Sequence, residues 1–244
     1  MPIVLKGFET LVQRAVRHYW QTLEGQGAKQ RTGIADRGGR AAVTGGKQMM
    51  GFCHLVQDVL TKNGVPSVHV FTEQRLELPG YFRPTKQWDM LVVSEGQLIA
   101  AIEFKSQRGP SFGNNFNNRT EEAIGTAQDL WTAYRERAFG TQPRPWLGWV
   151  MLLEDCPRSN TPVAVNEPHF KVFEEFRGAS YAGRYELLLR RLVLEKLFDG
   201  AAFLMATERQ GRRGAYSEPA DDLGMRPFLA ALTGHAMAVK ASRS

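Results

Sequence analysis

Apolar residues recur at Phe8, Leu11, Val12, Ala15, Val16, Tyr19 and Trp20, the three-and-four spacing of a helix with one buried face. The same period returns at Met49, Phe52, Cys53, Val56 and Leu60, with Asn63-Gly64 as a stop, so a second helix is predicted over 49–62. Short apolar runs then take over. Residues 68–72 read as a strand, Leu78-Pro79-Gly80 as a turn, and 88–93 and 98–105 as two strands joined in a hairpin through Ser94-Glu95-Gly96. Beyond a polar loop at 106–118, Ala123, Ile124, Ala127, Leu130, Trp131 and Tyr134 mark another helix, capped by Asn118 or Thr120 with Glu121 and Glu122 at its positive end. A buried strand is predicted at 146–153, a capped helix after Ser180, a short buried segment at 201–206 and a last helix at 227–239. The alternation predicts one α/β domain over 1–244. Within it, 1–44 hold a helix and a glycine-rich loop, 45–155 a core with a central mixed β-sheet flanked by helices, and 156–244 a helical part.

Residues 25–47 interrupt this patterning with seven glycines and five basic residues against one acidic residue. A mobile basic loop is expected there, either a solvated linker or an arm that neutralises phosphates through Lys29, Arg31, Arg37, Arg40 and Lys47. Across the chain, 31 Lys and Arg outnumber 25 Asp and Glu, which favours an anionic partner such as nucleic acid without proving one. Hydrophobic residues at 43% and charged residues at 23% exclude a mostly disordered chain. No apolar run is long enough for a membrane span and no secretory leader is evident, so a cytoplasmic location without a membrane partner is expected. Cys53 and Cys156 have no CxxC or Cys/His cluster near them, and the five histidines show no ligand spacing, which argues against zinc chemistry. No phosphate-binding GxxxxGK[ST] and no GxSxG occurs, which argues against a nucleotide-driven motor and a serine hydrolase.

The sharpest chemical signal is KQWDMLVVSEGQLIAAIEFKS, where Asp89 opens one apolar strand and Glu103-Phe104-Lys105 closes the next. Three ionisable groups on a hairpin built for burial need a purpose. Glu103 and Lys105 share a strand face, with Ile102 and Phe104 on the other. A three-residue turn with Gly96 left-handed would pair Val93 with Gln97 and set Asp89 opposite Ala101, diagonal to Glu103 and able to share a cation with it. Two carboxylates around an open position suit Mg²⁺, which keeps waters and takes phosphate oxygens, and Lys105 beside them would orient water and offset phosphate charge. As a bare tripeptide, E-x-K is commonplace on exposed strands.

Asp89, thirteen residues, then Glu103-Phe104-Lys105, in the order helix, strands, helix, strand, resembles the PD-(D/E)xK nuclease fold, with Trp88 where that pattern often has proline. The segments LPGYFRPTKQWD, SQRGPSFGNNFNNRTEEAIGTAQDLW and HFKVFEEFRGASYAGRYE extend the resemblance to the XhoI family of type II restriction endonucleases, from about residue 45 to 198. The resemblance implies a homodimer that cuts double-stranded DNA at the palindrome CTCGAG after the first C, leaving a four-base 5′ overhang, with a cognate DNA methyltransferase as companion. It implies Asp89 and Glu103 as metal ligands with the Phe104 carbonyl, Lys105 as third catalytic residue, and Mg²⁺ as cofactor. Ser111, Asn114, Asn115, Asn117, Asn118 and Arg119, expected between the catalytic strand and a helix, are candidates for base or phosphate contact, as are Lys86, Arg40 and Lys47. Arg83, Glu77, Gln57 and Asp58 have both active-site and solvated readings. The rival functions are a structure-specific repair or recombination nuclease of the same fold and a DNA-binding protein without catalysis.

Overall fold

A computed structural model describes residues 2–31 and 47–242. Helix α1 runs over Phe8–Arg31 and α2 over Met50–Lys62. Strands follow at Val70–Phe71 (β1), Glu77–Pro79 (β2), Thr85–Gln87 (β3), Met90–Ser94 (β4) and Gln97–Gln107 (β5). Then come α3 (Phe112–Arg135), β6 (Trp146–Glu154), α4 (Tyr181–Leu194), β7 (Gly200–Ala206) and α5 (Met225–Ala241). The central sheet has the order β1-β4-β5-β6-β7, with the β1–β4 and β4–β5 pairs antiparallel and the β5–β6 and β6–β7 pairs parallel. It is the mixed α/β sheet flanked by helices that the patterning predicts.

Strand alternation sends side chains to two cores. Ile102, Phe104, Val150, Leu152, Ala202 and Leu204 face α1, α2 and α5. Ala101, Leu147, Trp149, Met151 and Phe203 face α3 and α4, the helices that make the crossovers between the parallel strands. Gly148 and Gly200 lie opposite each other on β6 and β7, and a Cβ on either would strike the Trp146 indole, so both positions stay bare.

Several elements differ from the sequence reading. Helix α1 continues to Arg31, so the first residues of the expected loop 25–47 are helical; 32–46, with Arg40, lie outside the described residues. Leu78 and Pro79 belong to a second hairpin, β2–β3, which the turn-forming Pro-Gly pair concealed. The buried segment at 201–206 is a strand of the main sheet, so the part read as helical contributes β7. The polar loop 106–118 does not exist as such. Helix α3 starts at Phe112, with Ser111 at its cap position making no side-chain cap bond, and neither Asn118 nor Thr120 caps it. Its start is set by tertiary contacts instead: buried Gln107 donates to the Phe112 carbonyl at 3.0 Å and receives the Tyr185 hydroxyl. Among the described residues, no helix is long and apolar enough to cross a membrane.

Candidate active site

The β4–β5 hairpin reaches its register by a route the sequence reading did not find. The turn has two central residues, Glu95 and Gly96, both at positive φ (51° and 74°), between the paired Ser94 and Gln97. Val93 pairs with Leu98, the register that would have set Asp89 on the wrong face. A bulge corrects it. Val92 pairs with Ala100, so Ile99 is the extra residue, and Ile99 and Ala100 both face the core of α1, α2 and α5. Leu91, not Asp89, lies opposite Ala101, and continuing the ladder one step past Met90–Ile102 sets Asp89 across from Glu103 itself.

Asp89 Oδ2 accepts from the Phe104 backbone N–H at 2.8 Å and lies 3.4 Å from Lys105 Nζ. Glu103 is 1% exposed and sits between two ammonium groups: Lys86 Nζ donates to Oε1 at 2.6 Å, and Lys105 forms an ion pair with Oε2 that lacks good hydrogen-bond geometry. Lys86 comes from β3 and rests over the Trp88 ring at 4.9 Å, so the second hairpin delivers it into the site. Lys105 lies 5.8 Å from the centroid of Trp149, which is paired with Glu103 on β6 and forms a dry floor. The Phe104 ring points away, into the core near Phe52.

A third carboxylate completes the cluster. Glu122 on α3 approaches Lys105 Nζ at 3.1 Å and is also paired with Arg119, three residues earlier. Sequence reasoning treated Glu122 as a helix-end charge. No local signal joins it to the hairpin, because only the crossover of α3 over β5 brings the two together.

Burial raises the Glu103 carboxyl above its ordinary range, helped by the Asp89 charge and opposed by Lys105 and Lys86. Although burial disfavours the charged form, Glu103, Asp89 and Glu122 together hold the Lys105 ammonium above the usual lysine range. Desolvation likewise opposes ionisation of Glu122, yet Lys105 and Arg119 keep it below the usual carboxylate range. In this arrangement Lys105 is held in its charged form.

Among the described residues, no group of three or more His, Cys, Asp and Glu forms a ready cage for a metal ion. The donors present are the carboxylate oxygens of Asp89 and Glu103, with Glu103 Oε2 engaged by the Lys105 ammonium. Such a donor set fits a hard cation that retains waters and takes phosphate oxygens, and does not fit a thiolate- or imidazole-bound metal.

The other candidates fall into place along α3. Ser111, Asn114, Asn115, Asn118 and Glu122 share one helix face by their spacing, with Asn117 and Arg119 at its edges. Ser111, Asn114, Asn117 and Asn118 are exposed. These asparagines are helical, not loop residues as the sequence reading had them, because the tie from Gln107 starts the helix early. Lys86 is nearly buried against Glu103 instead of being presented to solvent. Lys47 is exposed in the helical turn before α2, where its carbonyl lies 3.1 Å from a His18 ring nitrogen. Arg83 binds Asp129, Glu77 is exposed on β2, and Gln57 and Asp58 line a shallow hollow beside Thr61 and Ser67.

Residues 28–218 match the family model described as Restriction endonuclease XhoI. The chain belongs to the XhoI restriction endonuclease family. Its relatives include the type II restriction enzyme BstVI of Geobacillus stearothermophilus, 53% identical over 212 residues that cover 85% of this chain and 94% of that protein. The type II restriction enzyme XhoI of Xanthomonas vasicola is 46% identical over 198 residues, 80% of this chain and 79% of that one. AbrI of Azospirillum brasilense is 50% identical over 186 residues, 75% and 83% of the two chains. No solved structure matches the chain. Membership of the XhoI family makes the protein a site-specific deoxyribonuclease that acts on double-stranded DNA, in a class that uses a divalent metal.

Proposed function

We propose that the protein is a Mg²⁺-dependent endonuclease that cuts a palindromic duplex on both strands, working as a cytoplasmic homodimer beside a cognate DNA methyltransferase that protects the host genome. The observation that carries this reading is the convergence of Asp89 and Glu103 on Lys105 from adjacent strands, in a chain of the XhoI family. Asp89 and Glu103 are the side chains that hold the cation, with the Phe104 carbonyl as backbone ligand. A divalent cation held there would supply an acidified water and neutralise phosphate charge. Lys105 orients the attacking water and offsets the charge that builds on the phosphate. Lys86 keeps the Glu103 carboxylate oriented, and Glu122 holds Lys105 from the helix side.

The exposed stripe of α3 carries Ser111, Asn114, Asn115, Asn117, Asn118 and Arg119 to the duplex, where amide and guanidinium groups suit base edges and phosphates. Arg40 and Lys47 add phosphate contacts. Two copies related by a dyad match a palindrome and bring one site to each strand. By family likeness the target is CTCGAG, cut after the first C to leave four-base 5′ overhangs with 5′-phosphates.

Digestion of a sequenced plasmid with and without Mg²⁺, followed by mapping of the ends, tests all of this together. Defined bands only with the metal are expected, and Glu103→Gln or Lys105→Ala should abolish them while leaving DNA binding largely intact. Metal-dependent cutting without a fixed band pattern would favour a structure-specific nuclease. Unchanged behaviour of both variants would favour a DNA-binding protein without catalysis.

A further inference from the structure

The turn between β2 and β3 carries two adjacent aromatic side chains in water, Tyr81 at 56% and Phe82 at 70% exposed. Their rings pack edge to face with centroids 5.4 Å apart. The turn is held firmly for so exposed a tip. Asp129 of α3, itself buried, accepts the Tyr81 and Phe82 backbone N–H groups at 2.7 and 2.9 Å and the Arg83 guanidinium at 2.6 Å. Gly80 is required for the fit, because a Cβ there would lie 2.6 Å from Asp129 Oδ2 and 2.7 Å from the Arg83 carbonyl. Two large apolar rings are thus presented to solvent on a clamped backbone, with each other as their ring contact.

Their position relates them to the catalytic cluster. Asp129 lies seven residues beyond Glu122, on the same face of α3 and about 10 Å along its axis. A cleft of about 370 Å³ lined by Phe82, Arg83, Glu121, Glu122, Thr126 and Asp129 connects the tip to the carboxylate that pairs with Lys105. Four residues after Phe82, the same hairpin delivers Lys86 to Glu103. The exposed asparagines occupy the opposite end of this α3 stripe, so the reacting cluster lies between them and the aromatic tip. A duplex lying across the cluster, with bases about 3.4 Å apart, would meet the tip about three base pairs from the reacting phosphate.

We infer that Tyr81 and Phe82 form an aromatic wedge that enters a groove of the bound duplex and unstacks one base step flanking the cut. The inference rests on the endonuclease reading above. Apolar wedges on rigid mounts are how proteins open base steps, and a turn whose backbone is already clamped loses little entropy on insertion.

The test uses wild-type protein and the double variant Tyr81→Ala/Phe82→Ala, bound without divalent metal to duplexes carrying 2-aminopurine at successive positions two to five base pairs from the mapped cut. Wild type should raise 2-aminopurine emission at one position, and the double variant should leave it flat. The double variant should bind about ten- to a hundredfold more weakly, since stacking on a base is worth that much. Its melting temperature should stay unchanged because both rings are exposed, and Tyr81→Phe with Phe82→Tyr should restore binding and emission. Wild type that cuts DNA but leaves emission flat at every position overturns the wedge alone. So does equal affinity of the double variant, or a change in its sedimentation without DNA, which would mark the tip as a contact between copies. Wild type that cuts no duplex removes the endonuclease reading and the wedge with it.

Discussion

Replacing Lys86 with methionine removes the best hydrogen bond to a nearly inaccessible carboxylate while keeping the aliphatic stem that lies against Trp88. Glu103 would retain Lys105 as its counterion, but Oε2 accepts no well-aligned hydrogen bond from it. A hydrogen bond to a charged group contributes about 1.5–3 kcal/mol net, and the full loss of about 3–5 kcal/mol for breaking a buried pair does not apply while Lys105 remains. A loss of about 2–3 kcal/mol is expected, which lowers the melting temperature of a chain this size by about 4–12 °C. The loss should depend on pH. Because burial already raises the folded Glu103 carboxyl and Lys86 opposes that rise, the variant's carboxyl moves higher still. The folded protein then keeps its proton where the unfolded chain, with a pKa of about 4.3, has released it, so stability falls as pH climbs above that value and levels off above the folded pKa. Denaturant titrations without metal at a low and a high pH should therefore show a smaller difference between wild type and variant at the lower pH and a larger one at the higher. Equal differences at both, or a loss below about 0.5 kcal/mol, would refute the idea that the Lys86 ammonium holds Glu103 ionised.

Glu122→Gln removes one of three carboxylates on Lys105 at a partly exposed position, so a fall in kcat of about fivefold with little change in melting is expected from an ion pair worth about 1 kcal/mol; unaltered turnover would separate Glu122 from the site. Asp129→Asn takes away a carboxylate whose ionisation desolvation opposes but the Phe82 and Tyr81 N–H groups and Arg83 favour, keeping it below the usual range. Its stabilising effect is full above about pH 4 and lost as pH falls through the folded value, so the gap between wild type and variant should narrow as pH falls below about 4, and a gap that stays constant would contradict the clamp. Gly200→Val drives a side chain into the Trp146 indole, 2.6 Å from where its Cβ would stand, and should destabilise the sheet by about 1–3 kcal/mol; an unchanged melting curve would show that the indole has room to move.

The long amphipathic elements were legible because burial of one face leaves a period: α2 and α5 lie within a few residues of their predicted spans, and Ser180 caps α4 by accepting from the Gly183 N–H. Legibility failed where the deciding contact is distant. The polar run 106–118 contains no helical stripe of its own at its start, and α3 begins there because Gln107 and Tyr185 anchor it. The β2–β3 hairpin was hidden by a Pro-Gly pair that also suits a turn.

The amino-acid sequence by itself offered the candidate chemistry, since Asp89 and the Glu103-Phe104-Lys105 run put two carboxylates and an ammonium on neighbouring strands and period two puts Glu103 and Lys105 on one face. It also carried the family, through motifs too long to recur by accident. How Asp89 meets Glu103 was decided in three dimensions. A tight two-residue turn would have misaligned the strands, and the extra Ile99, accommodated because its side chain has a core to enter, restores the match. Lys86 and Glu122 entered the site the same way, from a second hairpin and a crossover helix. Local patterns record which face of an element is buried, whereas the partner it meets depends on packing between segments far apart in the chain.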